Sequence, residues 1–187
     1  MMELFEALFT RMSIGKVKPD PVPRELIEKI LEAAAQAPNH HKVQPWRFIV
    51  ITGAARRRLG EVMAQSLIKH QPEAPPEVIA TERAKPLRAP VLIAVGVDRP
   101  SGPKVVEMEN ICAAAAATEN MLLAAHGLGL AAQWRTGPAA TDPDVKALLG
   151  LEADQHLIAF VYVGWCMVEP QGYGRPPAAE HTTWIEK

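Results

Sequence analysis

Basic and hydroxyl side chains cluster just after the first helix that the sequence predicts. Arg11, Ser13, Lys16 and Lys18 all fall within residues 11–18. A guanidinium can grip a phosphate through two parallel hydrogen bonds, and a serine hydroxyl can add another. The stretch therefore indicates an anion or phosphate site. A solvated basic loop explains the same composition, because exposed lysines and arginines are common.

Amide, imidazole and ammonium groups crowd the loop 38–45, which joins a predicted helix to a predicted strand. The loop contains Asn39, His40, His41, Lys42 and Gln44. Binding sites are commonly built on loops that a rigid scaffold holds in place. Adjacent histidines rarely point at one ion and no carboxylate lies close by, so no metal site is predicted. A plain hydrogen-bonded turn remains an alternative.

Three consecutive polar or aromatic residues, Trp134, Arg135 and Thr136, end the third predicted strand. Ligands often bind beyond the ends of strands in open sheets. The indole could stack on a planar ring and the guanidinium could reach an anion. A core tryptophan beside a surface arginine is the equally simple alternative.

Two further patterns carry no chemistry. Residues 127–132 match GxGxxA, but a long helix precedes them and a strand follows, which reverses the order that dinucleotide binding requires. Gly127 is interpreted as a helix cap instead. Cys112 lies in an alanine-rich helix and is expected in the core. Because no catalytic side chain is identified, any redox chemistry would belong to a cofactor.

The elements that would position these residues alternate between helices and strands. Helical spacing predicts helices over residues 2–12, 23–37, 54–69 and 105–127 and a short one before Gly150. Apolar runs predict strands over residues 46–52, 90–98, 128–134 and 157–164. This order indicates an α+β fold with one central mixed sheet flanked by helices.

One domain is predicted over residues 1–187, with two irregular segments. Residues 70–90 are rich in proline and are expected to form a surface excursion or lid with some helix near its middle. Residues 166–187 are expected to form an extended C-terminal arm whose apolar end could pair as a strand. The long helix 105–127 is apolar on more sides than one small domain can cover, which predicts a homodimer.

Composition limits the possible partners. The 187 residues carry a formal net charge of −1 and contain two cysteines. Near-neutral charge gives no reason to expect nucleic acid or a membrane surface as a partner. No signal peptide, membrane span or disulfide pattern is recognisable, so a cytoplasmic location is expected.

Taken together, the ordered motifs resemble the FMN-dependent nitroreductase family, in its minimal branch. The chain has Arg11-Met12-Ser13, then a helix closing on Ala37-Pro38, then Gln44-Pro45-Trp46-Arg47-Phe48. The resemblance covers residues 3 to about 165 and implies a nitroreductase-like fold in an intertwined homodimer.

The resemblance also implies roles for individual residues. Those that would bind FMN are Arg11, Met12, Ser13, Gln36, His40, Gln44, Trp134, Arg135 and Thr136. Arg11 would be the phosphate clamp, and Gln36 and His40 would reach FMN from the second subunit. A segment proposed for NAD(P) would be Leu122, Leu123, Ala124, Ala125, His126 and Gly127. Met12 stands where the family motif has a second arginine, and Arg175 is a possible further basic residue near the phosphate.

The implied activity has two half-reactions at one flavin face. NADH or NADPH would reduce the flavin and leave, and a small-molecule acceptor such as a nitroaromatic or a quinone would then take the electrons. Ping-pong kinetics are therefore expected. The alternatives are a flavin-dependent dehydrogenase or flavin-consuming oxygenase of the same fold, and a non-catalytic FMN-binding or storage protein.

Overall fold

The computed structural model describes residues 2–167 and 174–186. Six α-helices lie in this part of the chain, at bounds close to those that the sequence predicts. They are α1 (Leu4–Thr10), α2 (Arg24–Ala34), α3 (Gly53–His70), α4 (Pro76–Ala84), α5 (Glu107–Gly127) and α6 (Pro143–Leu148). Short 3-10 turns cover His40–Lys42, Lys85–Arg88, Pro138–Ala140 and Ala178–His181. None of the helices among these residues combines the length and apolar character needed to cross a membrane.

Four strands form one sheet, in the order β1-β2-β4-β3. They are β1 (Trp46–Thr52), β2 (Val91–Val97), β3 (Leu130–Arg135) and β4 (His156–Trp165). Every pairing among them is antiparallel, so the mixed sheet predicted from alternating elements is wrong for the described strands. The reason is topological: α5 joins β2 to a parallel β3, but β4 inserts between those two strands and runs opposite to both.

The sheet carries an apolar cluster on each face. One cluster packs α2 and α5 against residues such as Ile93 and Val161, and the other packs α3 and α6 against residues such as Leu92 and Phe160. Strand β2 is buried along its whole length, which explains its unbroken run of apolar residues and glycine. Because both faces are packed, the sheet holds its two edge strands, β1 and β3, in place.

Helix α5 buries only one stripe of its surface in this chain. The buried residues repeat at helical spacing, at Asn110, Ala113, Ala114, Ala117, Thr118, Met121, Leu122 and Ala125. Cys112 lies off this stripe and is exposed, so its predicted burial in the core is wrong. The error arises because alanine-rich sequence gives no clear boundary between the buried stripe and the opposite face.

The segment 70–90 is mostly helix docked on α3. A Cβ placed on Gly60 of α3 would lie 2.1 Å from the carbonyl oxygen of Arg83, so the two helix backbones touch there. The Arg83 guanidinium also pairs with Glu61 at 2.9 Å. The part of the prediction that gives this segment some helix is confirmed, and its role as a lid stays a prediction.

The ends of two predicted elements shift in the structure. Helix α5 includes Gly127, and Gly129 instead takes the positive φ of 76° that ends the turn, so β3 starts at Leu130. In the tail, residues 174–186 contain one 3-10 turn and no strand. The arm predicted over residues 166–187 also includes residues 168–173 and 187, which lie outside the described residues.

Candidate functional site

The residues after α1 run along the β3 edge of the sheet. The amide of Ile14 donates to the carbonyl of Ala132 at 3.0 Å, and Lys18 donates to the carbonyl of Trp165 at 2.8 Å. Gly15 lies so close to β3 that a Cβ there would be 2.4 Å from the Gln133 Oε1 atom. The chain therefore brings the basic stretch 11–18 and the predicted site residues 134–136 to the same edge of the sheet.

Arg11 follows the last residue of α1, and its side chain is only 15 % exposed. The Nε atom lies 3.1 Å from Glu119 Oε1 on α5. Nε and Nη1 are both shielded from solvent and make no hydrogen bond among the described residues, so the contact with Glu119 is an ion pair only. A buried donor without a partner is unfavourable, so this end of the guanidinium has the chemistry of an anion site. Arg175 also approaches, donating from Nη2 to the Arg11 carbonyl at 2.9 Å.

A histidine completes this corner of the site. His126 Nε2 lies 2.8 Å from Thr10 Oγ1, and that hydroxyl donates its single hydrogen to the carbonyl of Glu6. Thr10 must therefore accept from His126, which fixes the proton on Nε2. Burial, followed by the nearby Arg11 charge, lowers the pKa of His126. A neutral imidazole adds no further positive charge beside Arg11 at neutral pH.

The end of β3 is held by hydrogen bonds to the neighbouring strand. Trp134 Nε1 donates to the carbonyl of Ile158 at 3.1 Å, and Thr136 Oγ1 donates to the same carbonyl at 2.9 Å. The indole packs against the core that faces α5, in line with the alternative interpretation of a core tryptophan beside a surface arginine. Arg135 lies on the other face, exposed, with its Nε donating to Gln133 Oε1 at 3.1 Å.

A cavity of about 210 Å³ opens beside Arg135 and contains polar groups that the sequence did not single out. Lys85 and Tyr162 line it together with Arg135, Thr136 and Gly137. Burial raises the pKa of Tyr162, against the opposing effect of nearby arginines, so its phenol stays protonated. Lys85 was missed because it lies in the proline-rich segment, and Tyr162 because it alternates with core residues on a buried strand.

The loop 38–45 is strained in a way typical of functional sites. His41, Lys42 and Gln44 have positive φ values of 53°, 57° and 48°, which are unfavourable for residues other than glycine. The Asn39 carboxamide oxygen accepts a hydrogen bond from the Gln44 amide at 2.9 Å and holds the loop in this shape. His40 is exposed, and its Nε2 lies 3.9 Å from Glu109 Oε2 on α5.

The predicted site residues form two groups within one chain. The first group contains Arg11, Met12, Ser13 and the end of β3. The second group contains the exposed residues Gln36, His40 and Gln44 and lies toward the other end of α5. The helix residues that contact each group, Glu119 and Glu109, are ten positions apart, which is about 15 Å along an α-helix. A single chain therefore separates the two groups.

The segment of residues 122–127 lies in the last turns of α5. Leu122 and Ala125 are buried against the sheet, and Leu123, Ala124 and Gly127 are partly exposed. Only His126 offers a polar side chain there, next to Arg11. A role for this segment in binding NAD(P) stays a prediction.

These features define a class of protein. A layered α+β sheet with a mostly buried guanidinium whose Nε and Nη1 donors make no hydrogen bond among the described residues, and with a basic cavity at the same edge, suits an anionic, partly planar cofactor. A family model described as Nitroreductase family matches residues 8–165. The chain belongs to the nitroreductase family, and the prediction of an oxidoreductase of this family is confirmed.

Individual relatives agree with this membership. YdjA of Escherichia coli (strain K12), named as a candidate NAD(P)H nitroreductase, is 31% identical over 163 residues, covering 87% of this chain and 88% of that protein. A candidate nitroreductase from Desulfovibrio desulfuricans, solved in complex with FMN, has a TM-score of 0.77 and 28% identity, covering 100% of this chain and 98% of the other. A nitroreductase-like protein from Bacillus cereus has a TM-score of 0.85 at 23% identity, covering 100% and 98% of the two chains. That last likeness confirms the predicted nitroreductase-like fold.

Proposed function

We propose that this chain is an FMN-dependent NAD(P)H oxidoreductase that reduces small oxidised organic acceptors. The observation that carries the proposal is the Arg11 guanidinium, buried beside α5 with Nη1 unpartnered among the described residues. FMN has a phosphate that such a group would bind, and the solved Desulfovibrio relative contains FMN.

The order of residues along the β3 edge matches the order of the parts of FMN, from the phosphate to the ring. Ser13 and Gly15 continue from Arg11 toward Gln133, and Gln133 contacts Arg135 beside the basic cavity. This order matches a phosphate, a polar chain and the polar edge of a ring. Arg11 and Ser13 would hold the phosphate, and the cavity residues Lys85 and Arg135 would face the ring edge.

When bound, FMN supplies the capacity to accept a hydride and to pass on electrons. The protein's own residues bind and orient it. Arg135 would favour a negative charge at the nearby ring edge, because its guanidinium lines a partly enclosed cavity. Lys85 lines the same cavity and also pairs with the Glu82 carboxylate. Tyr162, which remains protonated, could donate a hydrogen bond there.

The acceptor specificity and the kinetic order are also part of the proposal. No acid–base pair is identified in the candidate site, so acceptors that need only electrons and solvent protons suit it best, such as nitroaromatics and quinones. The nicotinamide and the acceptor would use the same open face in turn, which gives ping-pong kinetics.

The functional unit that we propose is a homodimer. Met108, Cys112 and Ala116 lie on the side of α5 away from the sheet, where Met108 is 64% exposed. On α1, Phe5 and Phe9 stack on each other at 6.1 Å with most of their surface exposed. Apolar surface of this extent is typical of an interface rather than of a monomer in water.

Twofold symmetry would also unite the two groups of site residues. Glu109 and Glu119 are equally distant in sequence from Ala114, so two α5 helices crossing antiparallel near Ala114 would bring the Glu109 end of one chain to the Glu119 end of the other. His40 of one copy would then lie near Arg11 of the second. The C-terminal arm, with Trp184 81% exposed, is the segment best placed to wrap around the second copy.

The test is to identify the chromophore and its turnover. Purified protein is expected to release FMN on denaturation, and the bound flavin is expected to bleach with NADH or NADPH under anaerobic conditions and recover colour with an acceptor. Release of FAD, or no flavin binding at saturating FMN, would overturn the proposal. Bound FMN that neither nicotinamide reduces would favour the storage protein.

A further inference from the structure

Glu119 is the carboxylate closest to the Arg11 clamp. Its Oε1 atom lies 3.1 Å from Arg11 Nε, and its side chain is 44% exposed. It belongs to the side of α5 that the sheet does not cover, so it lies between the clamp and solvent. The same surface carries the interface of the proposed dimer.

The contact uses one side of the guanidinium and leaves its end open. Glu119 approaches Nε as an ion pair without a hydrogen bond, and Nη1 is also buried with no hydrogen bond among the described residues. A guanidinium has five N–H donors in a planar fork, so it can face a carboxylate on one edge and a phosphate on another. Both anions would then lie within a few ångströms of one cation.

We propose that Glu119 sets the affinity and selectivity of the cofactor site for a phosphate group. This inference rests on the proposed function. In the flavin-free protein, the carboxylate neutralises a buried guanidinium that otherwise has no ionic partner among the described residues. In the complex, the same carboxylate repels the phosphate. Both effects lower the free energy gained when the phosphate binds.

The surrounding charges do not cancel this effect. The ionisable groups that the described contacts place around Arg11 are Glu119 on α5, Arg175 in the tail and His126, whose pKa is lowered by burial and then by Arg11, against the opposing effect of Glu6 on α1. The Arg175 guanidinium is directed at the Arg11 carbonyl through Nη2. Packing holds the Arg11 side chain at 15% exposure, so removing the charge of Glu119 without changing its size should leave the clamp in place.

Glu119→Gln isolates the charge, because glutamine has nearly the size and shape of glutamate and lacks its negative charge. We expect this variant to bind FMN about tenfold more tightly, from the loss of repulsion at short range in a partly buried site. Riboflavin, which lacks the phosphate, should bind with unchanged affinity. The flavin-free variant should also unfold at a lower temperature than the wild-type protein, because Arg11 loses its ionic partner.

The measurement is a fluorescence titration of flavin-free protein with FMN and with riboflavin, together with thermal unfolding without flavin. Glu28→Gln is the matched control, since Glu28 lies on α2, is 51% exposed and pairs with the Nε atom of Arg24 at 2.7 Å. It should leave the ratio of FMN to riboflavin affinity unchanged. Weaker or unchanged FMN binding by Glu119→Gln would overturn the inference, as would an equal gain for riboflavin. If the proposed function fails, the wild-type protein itself binds no FMN, which is a different result.

Discussion

Replacing Arg11 with alanine removes the group on which the proposed phosphate site depends. The side chain is mostly buried, its Nε lies 3.1 Å from Glu119 and its Nη1 is unpartnered among the described residues. The variant loses an ion pair in the flavin-free protein and a charge-assisted hydrogen bond in the complex. We therefore expect FMN affinity to fall more than stability does.

The magnitude follows from the type of bond. A hydrogen bond to a charged group contributes about 1.5–3 kcal/mol, which corresponds to a loss of about tenfold to hundredfold in FMN affinity. The lost ion pair with Glu119 should reduce stability by less, because the carboxylate is 44% exposed and solvent screens it. Glu119, once unpaired, also adds repulsion that strengthens the effect on FMN.

The assay is a titration of flavin-free protein with FMN and riboflavin, with circular dichroism as a check on folding. Riboflavin binding should stay close to wild type, because it has no phosphate. Arg24→Ala is the matched control: its guanidinium is 86% exposed and pairs only with Glu28 on its own helix among the described residues. If Arg11→Ala keeps wild-type FMN affinity, or loses FMN and riboflavin equally, Arg11 is not the clamp.

Three further changes test other parts of the structure. Gly15→Ala should displace the flexible end of the Gln133 side chain, since the new Cβ would lie 2.4 Å from Gln133 Oε1. Stability should change little, and the FMN affinity measured by titration should fall. Gly60→Ala places a Cβ 2.1 Å from the Arg83 carbonyl oxygen, so the unfolding free energy in denaturant should fall by about 1–3 kcal/mol. Burial opposes ionisation of Asp142, yet hydrogen bonds outweigh burial and lower the pKa of Asp142. The stability that its carboxylate contributes should therefore disappear as the pH falls below about 3.9. Asp142→Asn should flatten that part of the profile of stability against pH.

Each of these has a control or a contradictory result. A Cβ added at Gly102 would meet no described atom within 4 Å, and the residue has no positive φ, so Gly102→Ala should leave stability unchanged. A Gly60→Ala protein as stable as Gly102→Ala would contradict the close packing of α3 and α4. Unchanged FMN binding by Gly15→Ala would remove Gly15 from the site. If the unfolding free energy of Asp142→Asn falls in acid in parallel with that of the wild-type protein, protonation of Asp142 is not coupled to unfolding.

Local patterns predicted the elements well because burial and capping determine the types of consecutive residues. The run of β2 is apolar because both faces of the sheet are covered, and Asp142 caps α6 by accepting from the Val145 amide. The strand directions were harder to predict. Whether β2 and β3 become neighbours depends on where β4 inserts, and that pairing involves residues far apart in the sequence.

The sequence allowed the segments of the candidate site to be predicted, but not all of the residues that line it. Arg11 and Arg135 are in motifs with recognisable chemistry, and the structure brings their segments to one sheet edge. Lys85 and Tyr162 join the cavity only through tertiary packing, with no signal in their own neighbourhoods. Cys112 shows the reverse case, since only the position of the sheet decides which side of α5 is exposed.

In the proposed dimer, Arg11 of one copy and His40 of a second copy bind the same FMN. The most direct measurement mixes Arg11→Ala and His40→Ala proteins, allows subunits to exchange, and counts high-affinity FMN sites by titration. A mixed dimer would contain one site with both residues intact, so about a quarter of all sites should regain wild-type affinity if subunits pair at random in a twofold dimer. Each variant alone should bind FMN weakly. A mixture that binds no better than the sum of its two components would contradict the shared site.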